Sequence, residues 1–169
     1  MKPLETERLI LRHLSTDDAE FMLELLNDPS YIHNIGDRKV RTLAGTKVFI
    51  TKGPIASYTN NGFGLLLVVL KETGESIGIC GLIKREGLDD VDIGYAYLPK
   101  FWSKGYAVES ALAVKQFARD VIRLKRIVAI ADPENLGSIR VLEKISMKFE
   151  KMVRLSEDDI ELKLFSVDL

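Results

Sequence analysis

The chain has 169 residues, and its 24 Lys and Arg residues nearly balance its 25 Asp and Glu residues, for a net charge of −1. This balance gives no electrostatic reason to expect nucleic-acid binding, no apolar run reaches the ~20 residues that a membrane span needs, and the single cysteine excludes an internal disulfide. Because the N-terminus also lacks the apolar segment of a signal peptide, we expect a cytoplasmic protein that forms one domain over residues 1–169.

Apolar periodicity and turn residues predict alternating strands and helices along the chain. The expected strands cover residues 6–14, 63–70, 76–84, 91–98, 126–131, 149–155 and 160–167. The expected helices run from the N-cap residues at 15–18 to Pro29, from 43 to about 57 with a break or kink at Gly53-Pro54, from near 105 to 122, and from 136 to 145, while 30–40 is expected to be a loop. Strands in a row, followed by strand–helix–strand–helix, predict an α/β domain with helices on both faces of a mixed sheet.

Residues 91–118 are the most informative stretch. Pro99 ends an apolar strand, a short basic loop with Lys100 and Lys104 follows, and a long helix begins near Gly105. The first turn of a helix has unpaired N–H groups and a partial positive charge, so this arrangement predicts a phosphate site. The alternative is an ordinary helix start with solvated lysines.

Two segments resemble the motifs of the GNAT superfamily of acyl-CoA N-acyltransferases. The first consists of Asp92-Ile-Gly-Tyr, Leu98-Pro and Trp102-Ser-Lys-Gly-Tyr-Ala-Val-Glu-Ser-Ala, and the second is Asn135-Leu-Gly-Ser-Ile-Arg-Val-Leu-Glu-Lys-Ile. Near the N-terminus, Thr6-Glu-Arg-Leu-Ile-Leu-Arg is similar to the opening strand of the branch that holds the ribosomal-protein N-terminal acetyltransferases. The resemblance implies a GNAT-like fold, a mixed and mostly antiparallel sheet of about seven strands with helices on both faces.

The resemblance also implies acetyl-CoA as co-substrate and no metal. The pantetheine arm would pair with the β-strand backbone and with the Asn135 side chain, and the pyrophosphate would lie on N–H groups of the loop and the first helical turn. The implied cofactor-binding residues are Ala96, Tyr97, Leu98, Ser103, Lys104, Gly105, Tyr106, Ala107, Val108, Asn135 and Ser138. Helix capping is the alternative role of Asn135 and Ser138. Ile145-Ser146-Met147 replaces the usual Leu-Gly-Phe, which leaves the turn after that helix open.

Asp92 is the candidate general base, because an attacking amine must lose a proton and many relatives carry Glu at this position. Aspartate is one methylene shorter than glutamate, so we expect a water molecule to relay the proton from the amine to the carboxylate. A surface carboxylate without a catalytic role is the alternative, and Glu157 is a rival base. Ser138 is the candidate proton donor to the leaving thiolate. Leu142 stands where many relatives have a catalytic tyrosine, so a non-tyrosine acid or solvent must serve.

These residues predict transfer of an acetyl group from acetyl-CoA to a primary amine by direct attack in a ternary complex. The acceptor would be a protein N-terminus or a small amine, held by residues 28–60, and the protein would be a monomer or a homodimer. The alternatives are a non-catalytic acyl-CoA-binding or sensor protein with the same fold, and a plain interaction module. His13 and His33 do not form a metal site, and Cys80 is expected to be buried.

Overall fold

A computed structural model describes residues 1–169, and its eight strands form one sheet. The strands are β1 (Leu4–Glu5), β2 (Leu9–His13), β3 (Leu65–Leu70), β4 (Ser76–Ile83), β5 (Asp92–Tyr97), β6 (Arg126–Ala131), β7 (Lys148–Val153) and β8 (Leu162–Asp168). Their order is β1-β2-β3-β4-β5-β6-β8-β7, and every neighbouring pair is antiparallel except β5 and β6. The predicted fold class is confirmed. The sheet has eight strands where about seven were expected, and the strand missing from the expectation is the two-residue β1.

Six α-helices connect these strands. They are α1 (Ala19–Asn27), α2 (Pro29–Asn34), α3 (Leu43–Ile50), α4 (Ala56–Asn61), α5 (Tyr106–Asp120) and α6 (Leu136–Lys144). The connection from β5 through α5 to β6 joins parallel neighbours, and such crossovers are right-handed, which fixes the face that the helix covers. Helices α5 and α6 contact each other, and the Lys115 ammonium of α5 donates to the Ile145 carbonyl at 2.8 Å where α6 ends.

The expectation of a loop over 30–40 is wrong for its first part, because α2 occupies Pro29–Asn34. The side chain of Asp28 accepts a hydrogen bond from the Ser30 N–H at 2.9 Å and so caps this helix. Pro29 stands at the first helical position, where its missing N–H has no helical partner to lose. The same proline therefore ends α1 and begins α2.

The predicted break at Gly53-Pro54 is a local widening of the helix. Residues Thr51–Ile55 form a π-helical turn that contains Pro54, and α4 then continues to Asn61. Proline lacks an N–H and crowds the preceding turn, and a wider turn accommodates both defects. The helical segment therefore extends four residues beyond its predicted end.

The turn after α6 keeps the geometry that a glycine normally provides. Ser146 has a φ of 69°, its N–H donates to the Glu143 carbonyl at 3.0 Å, and the Met147 N–H donates to the Leu142 carbonyl at 3.0 Å. This pair of hydrogen bonds defines a Schellman motif, in which the residue after the cap is left-handed and is usually glycine. Ser146 therefore adopts the conformation of the glycine that it replaces.

A single cluster of 33 buried residues fills the space between the sheet and the helices. The cluster includes Leu9 and Leu11, which alternate along β2, and Ile77, Ile79, Cys80 and Leu82 of β4. The six inner residues of β4 are all buried, as expected for a central strand that is covered on both faces. No helix combines the length and the apolar character that crossing a membrane requires.

Candidate active site

Strands β5 and β6 separate almost as soon as they meet. They pair at one position, Asp92 opposite Val128, where the Val128 N–H donates to the Val91 carbonyl at 2.9 Å. β5 then continues to Tyr97 without a strand partner on this side. A central strand normally has every backbone polar group paired, so this gap leaves unpaired groups in the middle of the sheet.

Alternate residues of β5 direct their backbone N–H and C=O groups into the gap. The Leu98 N–H donates to the Ile77 carbonyl of β4 at 3.1 Å, so the backbone polar groups of Leu98 and, two residues earlier, Ala96 point toward β4. Tyr95 and Tyr97 therefore direct theirs toward the gap. The Tyr97 carbonyl accepts a hydrogen bond from the Trp102 indole N–H at 2.9 Å. The N–H groups of Tyr95 and Tyr97 are the donors that remain without a strand partner.

The loop before α5 is strongly curved. Ser103 and Gly105 both have positive φ, 60° and 83°. The first helical hydrogen bond joins the Glu109 N–H to the Gly105 carbonyl at 3.0 Å. The preceding N–H groups of the helix have no helical acceptor, and the helix dipole adds a partial positive charge there. These groups belong to Tyr106, Ala107 and Val108.

The two lysines of this loop differ in whether a carboxylate pairs with them. Lys100 forms an ion pair with Glu75 at 3.0 Å, so its charge is already partnered. Lys104 forms no ion pair with a carboxylate, and it is exposed. Of the two cations that the sequence offers to a phosphate, Lys104 is therefore the one with no acidic partner in the fold.

Asn135, Ser138 and Tyr95 meet at the start of α6. The Asn135 Oδ1 accepts from the Ser138 N–H at 3.2 Å, so the capping role is present, while the Asn135 Nδ2 makes no hydrogen bond. The Tyr95 hydroxyl lies 3.0 Å from the Ser138 Oγ and 3.0 Å from the Ser138 carbonyl oxygen. Burial raises the pKa of Tyr95, and the contact with Ser138 only partly offsets this, so the phenol stays protonated at neutral pH. Leu142 is buried in the core beyond them.

Asp92 lies inside the protein, which rules out the alternative of a surface carboxylate. It is 1% exposed, its Oδ2 accepts from the Arg85 Nε at 2.8 Å, and its Oδ1 has no hydrogen-bond partner. Burial raises the pKa of Asp92 to about 6, and the charge and hydrogen bond of Arg85 act in the opposite direction. At neutral pH this carboxyl is mostly ionised and can accept a proton. Strand alternation places its side chain on the opposite face of β5 from Tyr95 and Tyr97.

The sequence did not single out Arg85 or the hydroxyl of Tyr95. Arg85 follows β4 closely and Asp92 opens β5, so the turn between two antiparallel strands brings them together. That register could have suggested the pair. The Tyr95 contact with Ser138 joins residues 43 positions apart, and no local pattern signals it.

The remaining candidates lie elsewhere. Glu157 is exposed between β7 and β8 and forms no hydrogen bond or ion pair. His13 stacks on Tyr58 with ring centroids 3.7 Å apart, and Cys80 is buried as predicted, which raises its thiol pKa to about 12. No three His, Cys, Asp or Glu side chains are grouped in a way that could hold a metal ion.

Comparisons with known proteins agree with this geometry. The sequence profile of the acetyltransferase (GNAT) domain matches residues 8–148. The uncharacterized protein YkkB of Bacillus subtilis (strain 168) is 31% identical over 159 residues, which are 89% of this chain and 88% of that protein. The crystal structure of a GNAT-family acetyltransferase from Bacillus anthracis has 27% identity and a TM-score of 0.81, with 98% of each chain covered.

A solved structure of RimL, the ribosomal L7/L12 alpha-N-protein acetyltransferase in complex with coenzyme A, has the same fold. Its TM-score is 0.84 at 16% identity, with 99% of this chain and 98% of that chain covered. Since the family profile spans most of the chain and a relative of more than 30% identity covers nearly all of it, the protein belongs to the GNAT family of acetyl-CoA-dependent N-acetyltransferases.

Proposed function

We propose that this protein, acting as a single N-acetyltransferase domain over residues 1–169, transfers the acetyl group of acetyl-CoA to a primary amine by direct attack in a ternary complex. The observation that carries the proposal is the gap between β5 and β6. Its unpaired backbone donors lie beside the curved loop and the N-terminus of α5, so an extended chain with an anionic end would find partners along its length.

The residues present fit coenzyme A. The pantetheine arm, which carries amides, would complete the β5 ladder at Tyr97, with Ala96 and Leu98 fixing that stretch against β4. The free Asn135 Nδ2 would donate to the same arm. The pyrophosphate would be held by N–H groups of the loop and helix start, with Lys104 adding a positive charge. Those N–H groups are Ser103, Lys104, Gly105, Tyr106, Ala107 and Val108.

Acetyl-CoA supplies an acetyl group activated as a thioester. An N–H of β5 that faces the gap, at Tyr95 or Tyr97, would donate to the thioester carbonyl oxygen, where negative charge develops as the amine attacks. These donors are held by a strand that is paired on its other side, so they need little reorganisation during the reaction. A covalent acyl-enzyme is not part of the proposal.

Asp92 would accept the proton that the amine must lose. A protein α-amino group has a pKa near ~8 and a lysine near ~10.4, so a base is needed at neutral pH. The carboxylate is 1% exposed and one of its oxygens lacks a partner, so a water that bridges the Asp92 Oδ1 and the amine would satisfy both. Burial favours this role because it brings the pKa of Asp92 close to the working pH.

Ser138 would donate a proton to the leaving sulfur. Its hydroxyl faces the Tyr95 hydroxyl at 3.0 Å, and Tyr95 stays protonated because it is buried. The phenol has a single hydrogen, which the Ser138 carbonyl oxygen or the Ser138 Oγ can accept, and when Tyr95 donates to the Oγ the serine hydrogen is free to point into the gap. Tyr95 would thus act on the reaction through Ser138, and the tyrosine that Leu142 replaces is not needed.

The acceptor would lie against residues 28–60. This segment contains five Lys and Arg residues and only two Asp residues, and it exposes the apolar side chains of Ile35, Leu43 and Val48. A basic and partly apolar surface favours an amine whose neighbours are acidic or apolar over a polyamine. A peptide N-terminus with acidic side chains fits this description, and RimL, with the same fold, is named for action on a protein α-amino group.

The test is release of free thiol from acetyl-CoA with peptide N-termini, amino acids, aminoglycosides and polyamines as acceptors, followed by mass spectrometry. We expect one added acetyl group on a primary amine, and an Asp92→Ala variant that still binds coenzyme A but turns over at least ~100-fold more slowly. Binding of coenzyme A without turnover of any acceptor would favour the sensor alternative. Failure to bind coenzyme A would refute the site, and normal turnover by Asp92→Ala would refute the base.

A further inference from the structure

Glu109 ties the start of α5 to the segment that precedes β2. Its Oε1 accepts hydrogen bonds from the Thr6 Oγ1 at 2.6 Å and the Arg8 N–H at 2.8 Å, and its Oε2 accepts from the Arg8 Nε at 2.7 Å. Partial burial acts to raise the pKa of Glu109, but the hydrogen bonds from Thr6 and Arg8 outweigh it and the pKa lies below its ordinary value. The carboxylate is therefore ionised and fully engaged. We call Thr6, Arg8 and Glu109 the Arg8 cluster.

The guanidinium of Arg8 lies against residues 104–106, where the loop ends and α5 begins. Its Nη1 donates to the Lys104 carbonyl at 2.9 Å, and its centre lies 4.4 Å from the centroid of the Tyr106 ring. A Cβ atom added at Gly105 would lie 3.2 Å from the Arg8 Nη2, so glycine permits this close approach. Glu109 orients the guanidinium, and the guanidinium contacts the loop.

One of these contacts determines where an unpaired donor points. The Lys104 carbonyl and the Gly105 N–H belong to the same planar trans peptide, so they point in opposite directions. Because Arg8 holds the carbonyl, the Gly105 N–H is directed away from Arg8. No loop or turn carbonyl accepts a hydrogen bond from this N–H. The Arg8 cluster therefore fixes a free donor on the opposite side of the loop backbone.

We propose that Thr6, Arg8 and Glu109 position the backbone N–H groups at 104–106 to receive the pyrophosphate of coenzyme A. The inference rests on the function proposed above and adds positioning residues to its cofactor site. Arg8 acts through geometry, because its charge is already neutralised by a carboxylate 2.7 Å away. The cluster also gives the N-terminal Thr6-Glu-Arg motif a role in a site about 100 residues further along the chain.

Two substitutions that differ in their effect on charge test this proposal, because Arg8→Lys keeps the positive charge whereas Glu109→Gln removes the negative charge beside it. Arg8→Lys removes the forked donor that reaches both Glu109 and the Lys104 carbonyl, and Glu109→Gln frees the charge of Arg8 but loosens its orientation. If the cluster acts by positioning, both variants bind coenzyme A about tenfold more weakly in isothermal titration calorimetry, the size expected for a lost charge-assisted contact. The matched control is Arg119→Lys, because Arg119 pairs with Asp120 at 2.7 Å at the opposite end of the same helix.

A truncated substrate separates the loop from the rest of the site. Acetyl-pantetheine lacks the pyrophosphate, so kcat/KM with this thioester should change less than twofold in the variants while kcat/KM with acetyl-CoA falls about tenfold. Equal losses with both thioesters, or tighter binding of coenzyme A by Glu109→Gln, would overturn the positioning role. Failure of the wild-type protein to bind coenzyme A would instead refute the function on which the inference rests. Melting curves confirm that each variant is folded, and Thr6→Val provides a milder change if Arg8→Lys does not fold.

Discussion

Arg85 controls the protonation of the proposed base, and Arg85→Gln should make this visible. The substitution removes the positive charge 2.8 Å from a carboxylate that is 1% exposed. Burial raises the pKa of Asp92 to about 6, and Arg85 is the one group that opposes this increase. An opposite charge at such a distance lowers a carboxyl pKa by roughly 1–3 units, so without it the pKa of Asp92 should rise to roughly 7–9.

The magnitude follows from the ionised fraction. With a pKa of about 6, Asp92 is roughly nine-tenths ionised at pH 7, and with a pKa of roughly 8 it is about one-tenth ionised. In the wild-type protein kcat/KM should therefore fall as the pH falls through about 6. In Arg85→Gln the same fall should occur roughly two units higher, with about a tenfold loss at pH 7 and little loss above pH 9.

The assay is kcat/KM for one amine acceptor from pH 5 to pH 10, because ionisation of the acceptor is then common to both proteins. Arg126→Gln is the matched control. Arg126 lies on the neighbouring strand β6 and pairs with Asp90 and Glu150, so its substitution should leave the pH profile in place. A loss that is equal at every pH would refute the role of Asp92 as base. Thermal unfolding gives an independent check.

The sign of that check follows from the pKa shift. The folded-state pKa of Asp92 is raised above its ordinary value of 3.8, so its contribution to stability is present at low pH and is lost as the pH rises through about 6. In Arg85→Gln the expected pKa of roughly 8 keeps Asp92 mostly protonated at pH 7, so the cost of an uncompensated buried charge, roughly 3–5 kcal/mol for a broken buried pair, arises only at higher pH. The variant should therefore lose stability relative to the wild-type protein as the pH rises through roughly 8, where Asp92 gives up its proton.

Two further predictions concern the turn after α6 and the hydroxyl pair at the gap. Ser146→Gly should stabilise the fold by roughly 0.5–1 kcal/mol, because a Cβ is costly at a φ of 69°, and a melting temperature raised by roughly 1–4 °C would show it while a lower one would contradict it. Ser138→Ala should lower kcat by about 100-fold or more and Tyr95→Phe by about 2–10-fold, with KM for acetyl-CoA little changed. If Tyr95 acts through Ser138 as proposed, the double variant should equal Ser138→Ala alone, and additive losses would refute this role.

Local sequence signals predicted most of the fold. The strand 126–131 has its expected bounds, and Pro99 and Gly105 mark the end of β5 and the start of α5 as their backbone restrictions dictate. The break at Gly53-Pro54 was also visible, although the chain resolves it as a π-helical turn. These features depend on neighbouring residues alone, which is why composition and spacing reveal them.

The features that escaped prediction depend on contacts between distant segments or on cap geometry. Helix α2 begins at Pro29 because the Asp28 carboxylate caps it, whereas the sequence suggested only that this proline ends α1. The separation of β5 from β6 is a property of the assembled sheet, which the family resemblance implies but no local pattern shows. The contact of Arg8 with Glu109 spans 101 residues and appears in the sequence only as two unconnected motifs.

The alternation of side chains along β5 explains how one short strand can serve both ends of the proposed reaction. The Asp92 side chain lies on one face of β5, and Tyr95 reaches Ser138 on the other face, so the proposed base and the proposed acid are on opposite sides of the strand. Asp92 and Tyr95 are three residues apart, and an odd spacing along a strand places two side chains on opposite faces. A proton can then leave the amine on one side while another reaches the sulfur on the other, with the backbone donors of the gap between them. The proposed base and the proposed acid would therefore not exchange protons directly, and each has its own partner, Arg85 for Asp92 and Tyr95 for Ser138.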